Sequence, residues 1–417
     1  MTHLHRRAST VAAVVMAVSV VTLAGAAASP AAETTATAPA GRAGVRGVTD
    51  TTVKVGGLGP LSRYGSADIG ARARFQRANA AGGVHGRTFD YVGMRDDGGT
   101  AAGNVQAASA LVRDDGVFAV APVITPDLGA SGDLRTQRVP YFGWAVSSNF
   151  CGNEWGFSFT GCTFPPGGDV TSDVWGVLVR QLLGAQAAGK TAAVVSENTE
   201  SGNYFVRTVS AGVSASGLRV VSGTTPLPVP PVADYDALAK QLLTVNGGAA
   251  PDVVFVAASY ANVAQLRQAL RNNGYAGVFT DTVEYEPDLV AAATGALVLV
   301  PTAAVETAAT NPAMQQLVVD VSAVAPGHPI DQSTVAGYWS ADLLIAAVER
   351  AGPKLTPDRL VRRANAKFTY RVKDTVGPVR FPAAHDEPAP CGTLVQGTGS
   401  TYAVAVPYRC GKVVDVD

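Results

Sequence analysis

The chain has 417 residues, which exceeds the usual size of one compact domain and favours two lobes with a cleft between them. Its 32 Lys and Arg nearly balance its 33 Asp and Glu, so the overall charge offers no basic surplus to hold nucleic acid or anionic lipid. A hydrophobic content of 47% and a charged content of 16% exclude a disordered chain. The expected partner is a small molecule or another protein.

The N-terminal residues have the organisation of a secretory signal peptide. A basic stretch at residues 5–7 precedes an apolar run at 11–23, and small residues follow at 26–28. A transmembrane anchor is the alternative, but the run is shorter than the roughly 20 residues that cross a bilayer. We therefore predict a signal peptide over 1–28, a flexible linker over 29–47, and an exported protein with no later membrane-spanning segment.

From residue 51 onward, short β-branched runs alternate with helical patterns, which favours parallel sheets covered by helices. Strands are predicted at 52–56, 89–93, 117–122, 191–196, 218–223, 252–257, 296–300, 376–381 and 402–406. Helices are predicted at 65–81, 100–114, 170–188, 204–216, 234–246, 262–273, 312–324 and 335–351. The return to helix and strand after two α/β series suggests that the chain crosses between the lobes more than once.

Four cysteines form two pairs that are close in sequence, Cys151 with Cys162 and Cys391 with Cys410. In an exported protein this arrangement predicts two disulfides, the second of them across a hairpin. A zinc site is the alternative, but the sequence has no Cys-x-x-Cys motif and its histidines are scattered. We therefore expect no metal site.

Several motifs have fixed positions relative to these elements. Residues 53–65 (VKVGGLGPLSRYG) combine a strand with a proline turn, residues 78–87 (ANAAGGVHGR) end the next helix, and residues 96–97 are an acidic pair. Together with VPYF at 139–142 and GPVRF at 377–381, they resemble the type I periplasmic solute-binding proteins. These form the branched-chain amino-acid and amide-binding family of ABC importers, and the resemblance covers nearly the whole mature chain.

The resemblance implies a fold of two doubly wound, Rossmann-like α/β lobes joined by a three-strand hinge. It implies that the first lobe is built from residues 48–165 and 300–390, and the second from 166–299 and 391–417. A small solute would be enclosed where the lobes meet, and hinge closure would present it to an ABC permease.

The resemblance also implies a set of ligand-binding positions, each just after a strand. Tyr64 and Tyr260 would provide aromatic walls, Thr125 and Ser147 hydroxyl groups, and Glu284 an acid for an ammonium group. The complete set is Tyr64, Thr125, Ala145, Ser147, Ser201, Tyr260 and Glu284. Packing of Tyr64 at the cleft rim and a surface-loop position for Glu284 are the alternatives.

The lipoprotein processing motif of exported binding proteins is incomplete, because Ala26 stands where the lipid-bearing cysteine would be. We therefore expect a protein without lipid. An enzyme would need a nucleophile motif or a histidine beside a nucleophile, and we expect His85, His328 and His385 at the surface. Neither enzymatic activity nor a cofactor is predicted. A secreted ligand-sensing or adhesive protein of the same fold is the alternative function.

Overall fold

A computed structural model describes residues 44–221, 226–229 and 234–416, without the side chains of Pro166, Glu200 and Ser201. The predicted signal peptide and most of the predicted linker lie outside these ranges. Residues 44–47 pack on the folded part, where Arg46 donates hydrogen bonds to the carbonyl oxygens of Val117 and Gln137, both at 3.0 Å. Folded structure therefore begins before residue 48.

The first sheet contains five parallel strands in the order β2-β1-β3-β4-β5. Its strands and the connecting helices are, in chain order, β1 (Thr52–Gly59), α1 (Leu61–Tyr64), α2 (Ser66–Ala80), β2 (Thr88–Asp96), α3 (Ala101–Arg113), β3 (Ala119–Val123), α4 (Ser131–Thr136), β4 (Tyr141–Gly143) and β5 (Gly156–Ser158). Thr100 begins α3 by accepting a hydrogen bond from the Gly103 N–H, which caps the first turn of the helix.

The second sheet begins after the chain leaves β5. The next elements are β6 (Val170–Ser172), α5 (Val174–Leu183), β7 (Thr191–Ser196), α6 (Glu200–Ala215), β8 (Arg219–Val220), α7 (Tyr235–Leu242), β9 (Val253–Ala257), α8 (Tyr260–Asn272), β10 (Val278–Asp281) and β11 (Leu297–Val300). The prediction of one helix over 170–188 is wrong at its start. Residues 170–172 instead form a strand that pairs with the C-terminal end of the chain.

The last third of the chain contributes helices to the core of the first sheet and strands to the second sheet. It contains α9 (Pro312–Val324), α10 (Gln332–Ala351), α11 (Pro357–Ala364), β12 (Phe368–Val372), β13 (Val376–Phe381), β14 (Cys391–Gly397), β15 (Tyr402–Cys410) and β16 (Val413–Asp415). The second sheet has the order β15-β14-β11-β10-β9-β7-β8, in which β14 and β15 are antiparallel additions. The helices α9, α10 and α11 pack into the core of the first sheet.

The chain therefore passes between the two cores three times, after β5, after β11 and after β13. One core surrounds the first sheet and combines residues 53–159 with residues 303–384. Two others cover opposite faces of the second sheet, with Ala193 and Val195 in one and Ala192 and Val194 in the other. Burial on both faces explains why β7 is a continuous apolar run. This is the predicted α/β fold of two doubly wound sheets.

Both predicted disulfides are present, joining Cys151 to Cys162 and Cys391 to Cys410. The second lies across the β14–β15 ladder, in which the two cysteines are direct partners. Within the ranges that the structure describes, no helix is long and apolar enough to cross a membrane.

The expectation that all three histidines lie at the surface is wrong for His385. This residue is 5% exposed and packs against Phe157 and Phe381, with ring centroids 5.3 and 5.1 Å away. Its Nε2 lies 2.6 Å from Oδ1 of Asn365. Burial lowers the pKa of His385 to about 4, so the ring is neutral near pH 7.

Candidate functional site

The residues predicted for the first lobe lie beyond the carboxyl ends of three adjacent strands. Tyr64 follows β1, Thr125 follows β3, and Ala145 and Ser147 follow β4. The strand ends approach closely, since a Cβ atom at Gly59 would collide with the carbonyl oxygen of Ile124. Parallel strands direct their carboxyl ends to one edge, so these four residues share the edge at which open α/β sheets bind ligands.

Tyr64 ends the short helix α1 beside the loop that follows β4. The Leu61 N–H at the start of α1 donates to Oδ1 of Asp96 at 3.1 Å, which holds α1 against the end of β2. The Tyr64 ring meets Trp144 edge to face, with centroids 6.5 Å apart, and is 8% exposed. The Arg63 guanidinium lies 5.1 Å from the same ring. These three side chains form a cationic and aromatic corner of the first lobe.

The remaining first-lobe candidates are held by local hydrogen bonds. The buried Thr125 hydroxyl donates to the Asp127 carbonyl oxygen at 3.4 Å. Ser147 donates to Oδ1 of Asn149 at 2.9 Å, while the Ala145 N–H donates to Oγ of Ser158 at 3.1 Å. These contacts fix the loops at the strand ends. Direct binding of a ligand by the two hydroxyls stays a prediction.

In the second sheet, Tyr260 and Glu284 follow the adjacent strands β9 and β10, and Ser201 lies in the first turn of the helix after β7. The Ser201 side chain is outside the described structure. Tyr260 begins α8 and is 38% exposed, as required of a ring available to a ligand. These positions share the carboxyl edge of the second sheet.

Glu197 holds the start of α8 against the end of β7. Its Oε1 accepts hydrogen bonds from the N–H and hydroxyl of Ser259 at 3.0 and 2.6 Å and from Nδ2 of Asn262 at 2.7 Å. Partial burial acts to raise the pKa of Glu197, but these hydrogen bonds lower it overall. The ionised carboxylate thereby positions Tyr260, one residue from Ser259.

Glu284 points into the protein. Its Oε1 accepts a hydrogen bond from Nη2 of Arg267 at 2.7 Å, and the Glu284 and Arg267 side chains are 0% and 5% exposed. Asp281, also buried, has a pKa raised well above its ordinary value by burial and then by the Glu284 carboxylate. The geometry therefore assigns Glu284 to an internal ion pair, and neither a surface-loop position nor an exposed acid matches its environment.

Glu286, two residues further on, is the acid that sequence analysis missed. Among the described residues, no side chain forms an ion pair or hydrogen bond with its half-buried carboxylate. Burial raises the pKa of Glu286 to about 7, Asp331 adds to the increase, and Arg63 opposes it. Glu286 in turn contributes to the raised pKa of Tyr64, for which burial is the largest cause and Arg63 acts in the opposite direction. Glu286 therefore lies within electrostatic reach of Arg63 and Tyr64 on the other lobe.

The geometry suits capture of a solute by binding groups on two opposed sheet edges. In the described ranges, no group of three or more His, Cys, Asp or Glu side chains could hold a metal ion. Aromatic rings line the first edge at Tyr64 and Trp144 and the second at Tyr260. The Glu286 carboxyl and the Arg63 guanidinium, which have no ion-pair partner among the described residues, lie within electrostatic reach of each other at these edges.

Solved structures with the same fold come from several bacteria. A fatty acid ABC transporter substrate-binding protein from Thermomonospora curvata is 21% identical, with a TM-score of 0.67, and the match covers 88% of this chain and 95% of that one. An ABC transporter substrate-binding protein from Desulfitobacterium hafniense, in complex with Leu, is 15% identical with a TM-score of 0.65, covering 85% and 99%. A solute-binding protein from Rhodopseudomonas palustris, in complex with p-hydroxybenzoic acid, is 18% identical with a TM-score of 0.66, covering 87% and 98%.

A search of curated proteins finds no match. The family model described as "Periplasmic binding protein" matches residues 52–401, which include the first sheet, the second sheet except β15, and all three crossings between them. The family consists of solute-binding proteins and not of enzymes. On this evidence the chain belongs to the periplasmic binding protein family.

Proposed function

We propose that the protein captures a small amine-bearing or zwitterionic solute with an apolar portion and delivers it to an ABC importer outside the cytoplasmic membrane. The observation that carries this proposal is the unpaired Glu286 carboxylate opposite Tyr64 and Arg63. An ammonium group on the solute would pair with Glu286, and a carboxylate on the solute would pair with Arg63. The rings of Tyr64, Trp144 and Tyr260 would cover the apolar portion.

The neighbouring structures support a solute-binding role without selecting the solute. Their names describe binding of a fatty acid, Leu and p-hydroxybenzoic acid, which differ in charge and shape. The side chains at the sheet edges must therefore select the ligand. Here the unpaired Glu286 carboxyl and the unpaired Arg63 guanidinium favour a zwitterion over a fatty acid, because a fatty acid would leave Glu286 half-buried without a partner.

Binding would draw the lobes together through the three crossings after β5, β11 and β13. Closure follows when the solute contacts both edges at once, because only the closed form gains both sets of contacts. An importer could then distinguish the loaded form by its closed shape. Export of the protein is supported by the two disulfides and by the signal-like residues 1–28.

A thermal-shift screen of amino acids, amides, aromatic acids and sugars tests the proposal. A true ligand raises the melting temperature with concentration because it stabilises only the folded protein. Native mass spectrometry of freshly isolated protein provides an independent test for a co-purified solute. Failure of every amine-bearing compound, with binding of a fatty acid or sugar, would overturn the proposed solute class.

Tyr260→Ala locates the site. We expect it to weaken ligand binding by about 1–3 kcal/mol, as for loss of an aromatic contact buried by the ligand. The matched control is Val319→Ala, which truncates an exposed side chain on α9. Undiminished binding in a Tyr64→Ala, Tyr260→Ala double variant that remains folded would show that the ligand does not bind in the cleft between the lobes.

A further inference from the structure

The nearly neutral chain has an uneven distribution of charge. Between Arg350 and Arg380 the sequence contains nine Lys and Arg but only two Asp, although the whole chain has a formal net charge of -1. Seven of these cationic side chains are exposed and, within the described ranges, form no ion pair and donate no hydrogen bond. We call them the basic surface: Lys354, Arg362, Arg363, Lys367, Arg371, Lys373 and Arg380.

Local structure directs these side chains to solvent. Helix α11 buries its apolar face, including Leu360 and Val361, and leaves Arg362 and Arg363 exposed. In β12, Tyr370 is buried whereas Arg371 is exposed, and in the partner strand Arg380 is also exposed. The helix and the hairpin therefore present cations outward because their other faces supply the core.

The helix and the hairpin are held side by side. Nε of Arg350 donates to the Arg363 carbonyl oxygen at 2.8 Å, and the Arg350 guanidinium lies 5.5 Å from the Phe368 ring. Asp358, one of the two acidic residues in this segment, pairs with Arg138 at 2.9 Å. The end of α11 and the start of β12 therefore lie next to each other, and Asp358 pairs with a cation outside the basic surface.

The α11 part of the basic surface lies away from the ligand cleft. Arg138 and Glu154 precede the first-sheet strands β4 and β5, so they mark the amino edge of that sheet. Asp358 contacts Arg138, and Nδ2 of Asn365, just after α11, donates to the Glu154 carbonyl oxygen at 3.0 Å. The predicted site is at the opposite, carboxyl edge. A partner could therefore cover α11 without closing the cleft.

The N-terminal end of the folded part lies beside the same surface. Arg87 donates to the Thr49 carbonyl oxygen at 2.7 Å and to the Pro353 carbonyl oxygen at 3.0 Å. Arg46 donates to Gln137, the residue before Arg138. The described part of the chain therefore begins next to Lys354 and Arg138.

We propose that the basic surface binds the anionic phospholipid headgroups of a membrane and holds the first lobe against the lipid while the cleft stays accessible. Exposed Lys and Arg side chains are attracted to an anionic bilayer over about one screening length, which is about 8 Å at physiological salt. Seven unpaired cations on α11, the β12–β13 hairpin and the adjoining loops match that requirement. Exposed cations with few acidic neighbours complement the charge of an anionic bilayer, and Ala26 in place of a lipid-bearing cysteine gives such adhesion a role in retention.

Vesicle co-sedimentation of the exported protein, isolated with its natural N-terminus, tests this inference. We expect binding to phosphatidylcholine vesicles containing about 30% phosphatidylglycerol and at least tenfold weaker binding at about 1 M salt, where the screening length is about 3 Å. Pure phosphatidylcholine vesicles are the control. Equal binding to these neutral vesicles would overturn the proposal, because it would assign adhesion to an apolar segment.

The variant test compares two triple substitutions with the same change in charge. Arg362→Gln, Lys367→Gln and Arg380→Gln remove three of the seven cations of the basic surface, and we expect at least a tenfold loss of vesicle binding. The control substitutions on the second lobe, Lys240→Gln, Arg409→Gln and Lys412→Gln, should retain it. Equal losses in both variants, or competition by inorganic polyphosphate with no binding to vesicles, would overturn the proposal. Circular dichroism spectra confirm that each variant is folded.

Discussion

The Arg267 guanidinium donates to the Glu284 carboxylate at 2.7 Å in a site where both side chains are almost fully buried. Arg267 lies in α8, whereas Glu284 lies just after the carboxyl end of β10, only two residues before the unpaired Glu286. Two acids close in sequence therefore have different environments. Glu284 neutralises an internal cation, whereas Glu286 faces the other lobe.

This difference predicts opposite effects of two similar substitutions on stability. Glu284→Gln leaves the buried Arg267 charge unpaired and should reduce the free energy of unfolding by about 3 kcal/mol. Glu286→Gln removes a half-buried charge that has no protein partner, so stability at pH 8 should be unchanged or higher. Urea unfolding of both variants measures the difference. Equal destabilisation by the two substitutions would show that the Glu284–Arg267 ion pair contributes no more to the free energy of unfolding than the Glu286 carboxyl does.

The raised pKa of Glu286 predicts pH-dependent binding of an amine-bearing solute. With a pKa of about 7, the carboxyl is mostly ionised at pH 8 and mostly neutral at pH 6, so affinity should fall roughly tenfold over this interval. Titration calorimetry at both pH values measures the change. Glu286→Gln should remove most of it, and an identical pH dependence in this variant would assign the effect to another group.

His385 predicts a loss of stability in acid. Its folded-state pKa of about 4 lies below the ordinary value of 6.5, so the unfolded chain takes up the proton first. The contribution of neutral His385 to the free energy of unfolding is therefore complete above about pH 6.5 and is lost as the pH falls through 4. The total loss is at most about 3 kcal/mol. His385→Gln removes this titration. The difference in unfolding free energy between wild type and variant should shrink from pH 7 to pH 4.5, and a constant difference would contradict the assignment.

Each disulfide should stabilise the protein by restricting the unfolded chain. Replacing Cys391 and Cys410 together by Ser should cost about 3 kcal/mol, slightly more than the same change at Cys151 and Cys162, because the closed loop is longer. Urea unfolding of the two double variants provides the comparison. Peptide mapping without reductant checks the pairing directly, and free thiols or crossed pairs would refute it.

The N-terminal sequence predicts a mature protein that begins near Ser29 and carries no diacylglycerol. Ala26 in the lipoprotein-like motif has no thiol to accept lipid. Intact mass spectrometry of the exported protein measures both properties. A mass increase equal to a diacylglycerol would contradict the prediction, as would retention of the complete apolar run.

Local patterns were sufficient for much of the fold. The prediction for β7 at 191–196 agrees with the structure, as do those for α9 at 312–324 and β13 at 376–381. Short apolar runs and helical periodicity depend on which residues of a single element are buried, so they can be recognised in the sequence. Each ligand-site candidate could be placed after a strand because the strands were predicted in this way. The resemblance to a known family supplied the candidate residues, while their ligand contacts stay predictions.

The sequence by itself determined the alternation of strands and helices, the two local cysteine pairs and the positions of the loops that follow the strands, because these depend on residues close together in the chain. Only the tertiary structure decided that β6 pairs with β16, that His385 is buried, and that Glu284 meets Arg267 while Glu286 faces Tyr64. It also brought the exposed cations of α11 and the β12–β13 hairpin onto one surface. Such relationships depend on packing between segments that are distant in the sequence. The sequence around a residue does not show which distant residues will contact it, whether it will be buried, or what charge its partners will have.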